Sequence, residues 1–426
     1  MEAQTAPRAA APLPPRRRLA LPAAFSSLRH RNYRLLWMGV LVSSSGDWMD
    51  QVALNWLVYQ LTGSAVALGL LNLCRLLPIL VFTLVGGVVA DRMERRRLMF
   101  TTQAVAMLLA FALAVLVSTG LVQFWMVLVI AVGRGVVLSF NFPARQSLIS
   151  ELVPRETLMN AIALNSATLN LTRVLGPAIG GGLIAATGVA GAFYVNGASF
   201  LAVLYGLARM DIPPQPARPR RSMLAELHGG LRYLAGEPRL RTLVILALVP
   251  MVFGMPYMTM LTVFASDVLH VGSGGLGLLT ACTGAGAVGG ALFVASRDET
   301  VRPYRLMLTG LVAFGLTLIG FAVSPWVWLS VPALVAVGFS QQSFLAVNNT
   351  LIQQDVDEEY RGRVVSTLFL SRSMVPLGTM LAGFGTAAFG VQATVAAMAT
   401  VLVVLALLAA RALSAAATVR IAGDRL

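Results

Sequence analysis

Lysine is missing altogether: all 32 basic residues are arginine. Without lysine there is no P-loop amine to reach a nucleotide's phosphates and no amine to form a Schiff base, which excludes autonomous ATP-driven transport and lysine-based covalent chemistry within this chain. Charge of either sign is scarce, 12% of 426 residues, and acids number only 18. Cysteine occurs twice, at Cys74 and Cys282, each inside an apolar run where it reads as a small buried hydrophobe in a reduced or lipid setting. The three histidines, His30, His228 and His270, are far apart and fall at loops or run ends. Neither a metal cluster nor a nucleophile and histidine pair is expected from them, and no cofactor is called for.

What the chain has in abundance is apolar sequence. Hydrophobic residues fill 57% of positions and the mean hydropathy is +0.77, beyond what a soluble domain of this length tolerates. Apolar runs lie near 35–59, 64–90, 98–118, 121–143, 158–186, 189–209, 242–265, 274–296, 305–323, 326–350, 362–388 and 391–413. Each is long enough for a helix to cross a hydrocarbon core of about 30 Å, and the ten-residue alternation of a barrel is absent. Helices are then the only element able to span. The expectation is an all-α membrane protein of twelve transmembrane helices.

Arginine sorts the connections by side. Those near 60–63, 119–120, 187–188, 266–273, 324–325 and 389–390 carry no arginine and one acid, Asp267. Opposite them lie Arg16 to Arg18, Arg29, Arg31 and Arg34 before the first span, Arg92 and Arg95 to Arg97 after the second, and Arg218, Arg220, Arg221, Arg239 and Arg241 in the centre. By the positive-inside rule that face and both termini are cytoplasmic; the membrane expected is the bacterial inner membrane. The net charge of +14 is thus a topology signal, and no nucleic-acid partner is expected. Residues 1–30, rich in Ala, Pro and Arg, read as a disordered cytoplasmic tail. The twin-arginine look of Arg16-Arg17-Arg18-Leu19 is spoiled by Pro22 and by the lack of a small-residue cleavage site.

The longest polar segment, 210–241, opens with Pro213, Pro214, Pro216 and Pro219 and divides six runs (31–209) from six (242–413), with 414–426 left as a cytoplasmic tail. Within it Leu224, Leu227, Leu231 and Leu234 recur at helical spacing, an amphipathic helix lying on the inner surface or packed under the bundle. Internal similarity supports the division. Gln146-Ser147-Leu148-Ile149 lines up with Asn349-Thr350-Leu351-Ile352 at a displacement of 203, Leu175-Gly176 with Leu377-Gly378 at 202, and Leu68-Gly69-Leu70-Leu71 with Leu276-Gly277-Leu278-Leu279 at 208. Repeats of that size suggest two six-helix bundles related by an axis along the membrane normal.

Three motifs carry a family resemblance. The elbow Gly87-Val88-Val89-Ala90-Asp91-Arg92-Met93-Glu94-Arg95-Arg96-Arg97 resembles the first-loop signature of the major facilitator superfamily, with Glu94 where glycine is frequent. Gly176-Pro177-Ala178-Ile179-Gly180-Gly181 resembles the fifth-helix motif of its exporters, although Thr172 replaces an expected glycine. Arg134 stands where the fourth-helix motif has its arginine, although Leu138 departs from that motif. Gly46-Asp47, Thr62-Gly63-Ser64 and Gly229-Gly230-Leu231-Arg232-Tyr233-Leu234 make the chain most similar to the branch of enterobactin exporters and macrolide efflux proteins. The resemblance implies the major facilitator fold, and for Gly87, Asp91, Arg92, Arg95 and Arg96 a gating role. Asp91 would meet a helix N-terminus of the other half near Arg361 to Arg363, while Arg92 and Arg95 pair with neighbouring acids. The alternative is that these arginines fix topology alone. For Gly176, Pro177, Gly180 and Gly181 the readings are a helix bend that moves, or simple close packing.

Charged residues inside the runs are the sharper signal. Asp47 and Asp50 fall past the middle of the first run. Arg75, Arg134, Arg173 and Arg372 fall near the middle of the second, fourth, fifth and eleventh. Ionised groups at that depth cost several kcal/mol unless paired or wet. Asp47, Asp50 and Arg134 are therefore read as a proton-coupling set, with Arg75, Arg173 and Arg372 as further cavity charges; the alternative is a static ion pair. Gln51, Asn55, Asn165, Asn170, Gln341, Gln342, Asn348 and Asn349 offer hydrogen-bonding groups either to a substrate or to neighbouring helices. The reading is a monomeric, proton-driven antiporter exporting a small amphipathic molecule, drug or siderophore-like, by alternating access. Uptake, lysophospholipid flipping and a non-transporting receptor are the competing readings, and no catalytic set is evident.

Overall fold

The computed structural model describes residues 23–211, 236–297, 303–356 and 374–423. The side chains of 23–24, 80, 83–92, 238–239 and 412–423 also lie outside the described part, and so does most of the linker with its leucine-spaced segment. A 3-10 turn over Ala23–Arg29 leads into α1 (Arg31–Thr62), α2 (Ala65–Arg92), α3 (Arg95–Ser118), α4 (Phe124–Leu152) and α5 (Arg155–Ala208). After the linker come α6 (Pro238–Phe253), α7 (Tyr257–Val263) with a π-turn over Phe264–Val268, α8 (Gly272–Ala295), α9 (Pro303–Ala322), α10 (Val327–Asp355), α11 (Val375–Phe389) and α12 (Val391–Gly423). The described residues contain no strand.

Eight helices among the described residues are long and apolar enough to cross a membrane by length and composition. One of them, α5, is 54 residues long, about 80 Å at 1.5 Å per residue, which is two crossings. It breaks at Gly188 (φ 75°, ψ 176°), inside the connection that the hydropathy pattern places between its fifth and sixth runs. The reverse happens in the seventh run, which is a single crossing split at Gly254–Pro256 into α6 and α7, because Pro250 and Pro256 remove backbone donors. With α5 counted twice, and α6 with α7 once, the helices form the twelve crossings of the major facilitator fold.

Turn chemistry separates the two ends of the bundle. Gly63, Gly120, Gly188, Gly272 and Gly390 have φ between 58° and 82°, and all sit in arginine-poor connections. A left-handed glycine reverses the chain within a few residues, so that side carries short, tight turns. Hydroxyl groups inside the helices bond back to their own carbonyls, Ser45 to Leu41, Thr62 to Val58, Thr168 to Leu164 and Thr280 to Leu276. Lipid offers no other partner for them.

Packing is densest within each half, α1 on α5 and α2 on α4 in the first, α8 on α10 and α9 on α10 in the second. The halves meet through α5 against α8 and α2 against α11. These two contacts are one contact seen twice. The repeat carries α5's first crossing onto α11 and α2 onto α8, so α5 with α8 becomes α11 with α2, as a pseudo-two-fold requires. The glycines obey the same rule. A Cβ on Gly181 would lie 2.5 Å from Gly277 Cα, and one on its repeat partner Gly383 would lie 2.8 Å from Ala65 O. Likewise Gly176 is closed by Trp48 of α1, and its partner Gly378 by Val252 of α6.

One apolar core joins the halves towards the arginine-poor end, running from Val52 to Val58 and Ala65 to Leu71 across to Leu261, Phe264, Leu276 and Ala382. The core at the arginine-rich end, Tyr33, Leu36, Met99, Leu148, Leu152, Val203 and Leu207 among them, is drawn from the first half alone. The described halves are therefore shut at the arginine-poor end.

The seam makes a direct prediction. In Gly277→Leu the added Cβ would stand 2.6 Å from Gly181 Cα, and parting the helices should cost about 1–3 kcal/mol, read as a lower thermal unfolding midpoint. Gly182→Ala, with nothing within 4 Å of its Cβ, should leave the midpoint in place.

Candidate functional site

Asp47 and Asp50 are three residues apart on α1, so their side chains leave the helix about 60° apart and meet different surroundings. Asp50 is buried, its side chain 1% exposed, and its carboxylate forms an ion pair with the Arg134 guanidinium of α4. The pairing is single rather than forked: Asp50 Oδ1 and Arg134 Nη2 are both buried without a hydrogen-bond partner. Asp47 is exposed, yet Arg134, Arg75 and Arg145 all act on it electrostatically. A carboxylate under the influence of three guanidinium groups at this depth is one whose charge is balanced by its neighbours.

Glycine sets this arrangement. Next to Arg134 is Gly135, where a Cβ would stand 2.2 Å from the Arg75 carbonyl oxygen, so α2 and α4 touch backbone to backbone and bring Arg75 and Arg134 to one level. On the other side of α1, Gly176 and Gly180 of α5 close on Trp48 and Met49, which fixes the rotation of α1 and with it the direction of both aspartates. These motif glycines serve close approach. The break in α5 lies at Gly188, and no departure from helical geometry accompanies Pro177.

The other expected site residues are dispersed. Arg173 acts electrostatically on the buried Tyr257 of the second half, and Arg372 lies outside the described residues. Tyr257 donates to Gln341 Oε1 at 3.3 Å, and Gln341 Nε2 contacts the Met255 sulfur, so Gln341 works inside the second half. Gln51 donates to Asn55 along α1 at 3.4 Å, one turn from Asp47, and Asn170 donates to Ser166 O in its own helix. Asn55, Asn165 and Asn348 are buried; Asn348 Oδ1 has no partner, and Gln342 and Asn349 are half-buried.

In the elbow, Gly87, Asp91 and Arg92 belong to α2, but their side chains lie outside the described residues, as do Arg361 to Arg363. Arg95 forms an ion pair with Glu151 at the end of α4. Arg96 donates to the carbonyls of Leu207 (2.7 Å) and Ala208 (3.2 Å), capping the C-terminus of α5 with positive charge. Both contacts stay within the first half.

Arg145 is the charged residue that sequence reasoning passed over. The fourth run was closed at residue 143, whereas α4 continues past Pro143 to Leu152, leaving Arg145 on the same helix with its Nε unpartnered and its guanidinium 6.0 Å from the Phe142 ring centroid. The available signal was the apolar pattern Leu148, Ile149 and Leu152 resuming after the proline.

Twelve crossings in two six-helix halves define the class, a transporter of the major facilitator superfamily. Within it, the chain belongs to the transmembrane secretion effector family, whose model matches residues 22–423. It is 28% identical over 365 residues to the staphyloferrin A transporter of Staphylococcus aureus, covering 83% of this chain and 89% of that protein. It is 30% identical over 387 residues to the multidrug efflux pump Tap of Mycolicibacterium fortuitum, covering 88% and 94%. With the enterobactin exporter EntS of Citrobacter koseri it shares 28% over 311 residues, 71% and 70% of the two chains. Among solved structures, a bacterial homolog of the human lysosomal transporter Spinster, inward-facing and unoccupied, superposes with a TM-score of 0.72 at 17% identity over 90% of this chain and 97% of that one. The nucleoside transporter NupG gives 0.68 at 14% over 90% and 98%. These two likenesses concern the fold.

Removing one member of the buried pair should hurt more than removing both. Asp50→Asn leaves Arg134 charged and unpaired and is expected to cost about 3–5 kcal/mol, while Asp50→Asn with Arg134→Gln recovers part of the loss. Asp47→Asn, at an exposed position, should change thermal stability little; unfolding midpoints of the purified variants check all three.

Proposed function

We propose that this transporter exports a small amphipathic compound, drug-like or siderophore-like, in exchange for protons. The halves 31–209 and 242–413, joined by 210–241, would open the charged centre to one side and then the other. The observation that carries this reading is Asp47, exposed but held in the field of three arginines, beside a buried Asp50 that already occupies Arg134. An aspartate so placed is balanced either by a guanidinium or by a proton, and shifting the guanidinium exchanges one for the other. A purely structural pair needs one aspartate and one arginine; the surplus carboxylate is the one that water reaches. The direction of transport and the type of cargo are supported by the relatives named as a multidrug efflux pump and an enterobactin exporter.

In this reading the protein is a monomer of the bacterial inner membrane, and the positive-inside rule favours a cytoplasmic arginine-rich face and cytoplasmic termini. A cysteine introduced by Thr119→Cys should react with an impermeant maleimide in intact cells, whereas one introduced by Glu94→Cys should react only after permeabilisation; the opposite pattern reverses the orientation.

Coupling is tested in reconstituted vesicles with an imposed pH gradient, using a panel of fluorescent dye substrates. The wild type should show substrate-dependent proton flux, and Asp47→Asn should lower it at least about tenfold while dye binding persists. Flux unchanged by Asp47→Asn and by Asp50→Asn removes both acids from the coupling step.

A further inference from the structure

Glycine and aliphatic side chains make up most of the seam at the arginine-poor end. Such contacts are cohesive but weakly directional. Hydrogen bonds crossing this seam between described residues include Asn72 Nδ2 to Thr259 Oγ1, long at 3.5 Å, and the Tyr59 hydroxyl to the Asp267 carboxylate. The second is charge-assisted, and both of its partners are built into place. Tyr59 sits one turn before the left-handed Gly63 that stops α1, with the Tyr59 carbonyl accepting the Gly63 N–H. Asp267 projects from the π-turn after α7, whose end is tied by Leu269 N–H to Phe264 O and Val271 N–H to Ala265 O. It is the one acid in the connections of that side.

A cavity of about 580 Å³ opens over the pair and is walled by both halves, Gly63 to Ala65 from the first, Val263, Thr386 and Phe389 from the second. Water entering it competes for the carboxylate, so the bond biases an equilibrium without locking it. Its partners lie on opposite halves, so it cannot survive their separation at this end.

We propose that Tyr59 and Asp267 are positioning residues of the transport cycle, a latch that holds the arginine-poor mouth closed and breaks whenever that mouth opens. The latch rests on the alternating exposure set out above. It is tested on the full chain carrying Cys74→Ser and Cys282→Ser, with nitroxide labels introduced at Leu121→Cys and Trp326→Cys, exposed positions at arginine-poor connections of opposite halves. Pulsed electron resonance then gives the distances across the mouth at acidic and neutral pH. Two populations are expected, and Tyr59→Phe, which keeps the ring and removes only the O–H, should raise the ratio of long to short distance about tenfold. Asp267→Ala should do the same, the double variant should add little, and Asp267→Asn, whose amide oxygen still accepts, should recover part of the wild-type ratio. Two populations whose ratio ignores Tyr59→Phe and Asp267→Ala overturn the latch alone. One fixed distance in every variant and at both pH values overturns the latch together with alternating exposure.

Discussion

Moving a carboxylate and a guanidinium from water to the middle of a bilayer costs far more than any single packing contact returns, and this cost organises the first half of the molecule. Asp50 and Arg134 are tolerable only because α1 and α4 hold them against each other, and the helices can do so only because α1 is fixed in rotation by the α5 glycines. The single-pronged geometry leaves a donor and an acceptor unused in a dry setting. An unsatisfied pair of that kind is a place where charge can be rearranged, in contrast to a forked pair with every valence filled. Asp47, a turn away, is exposed and lies under the influence of the same arginine.

The second constraint is geometric. Lipid gives no hydrophobic reason for one helix to prefer another over the surrounding tails, so association must come from close contact, and close contact needs residues with little side chain. Gly181 on Gly277 and Gly383 on Ala65 supply it at equivalent places in the two repeats. The displacement of about 200 residues visible in short sequence matches is the same displacement that turns one seam into the other. Strong contacts at one end, and a core at the other end that belongs to the first half alone, give the described molecule its polarity.

Much of the architecture was legible because it is written in local, one-dimensional signals. Hydropathy located the crossings, arginine sorted the connections, and the break at Gly188 fell where two runs had been divided. The family followed from the Asp91 elbow and the Gly176 to Gly181 motif. The site was legible in its ingredients and less so in its assembly. That Asp50 would be sealed and Asp47 open depends on the rotation of α1, which is decided by α5 glycines more than a hundred residues away. Arg145 was hidden by a proline that ends most helices but here only interrupts one, since the following turns are apolar and remain in register. Arg173 is read as a cavity charge from its depth alone, and its electrostatic reach to Tyr257 of the other half has no signal in the sequence. The pairing of Tyr59 with Asp267 joins residues 208 apart in sequence and has no motif to announce it.

The two seams, though copies, are not lined alike. At Gly181 and Gly277 backbone meets backbone, leaving nothing that a foreign molecule could push aside. At the matching crossing Gly383 likewise meets backbone at Ala65 O, but Gly69 also abuts the Met380 thioether, the most pliant of apolar side chains. That copy of the seam therefore carries one contact able to repack, whereas Gly181 and Gly277 meet only backbone.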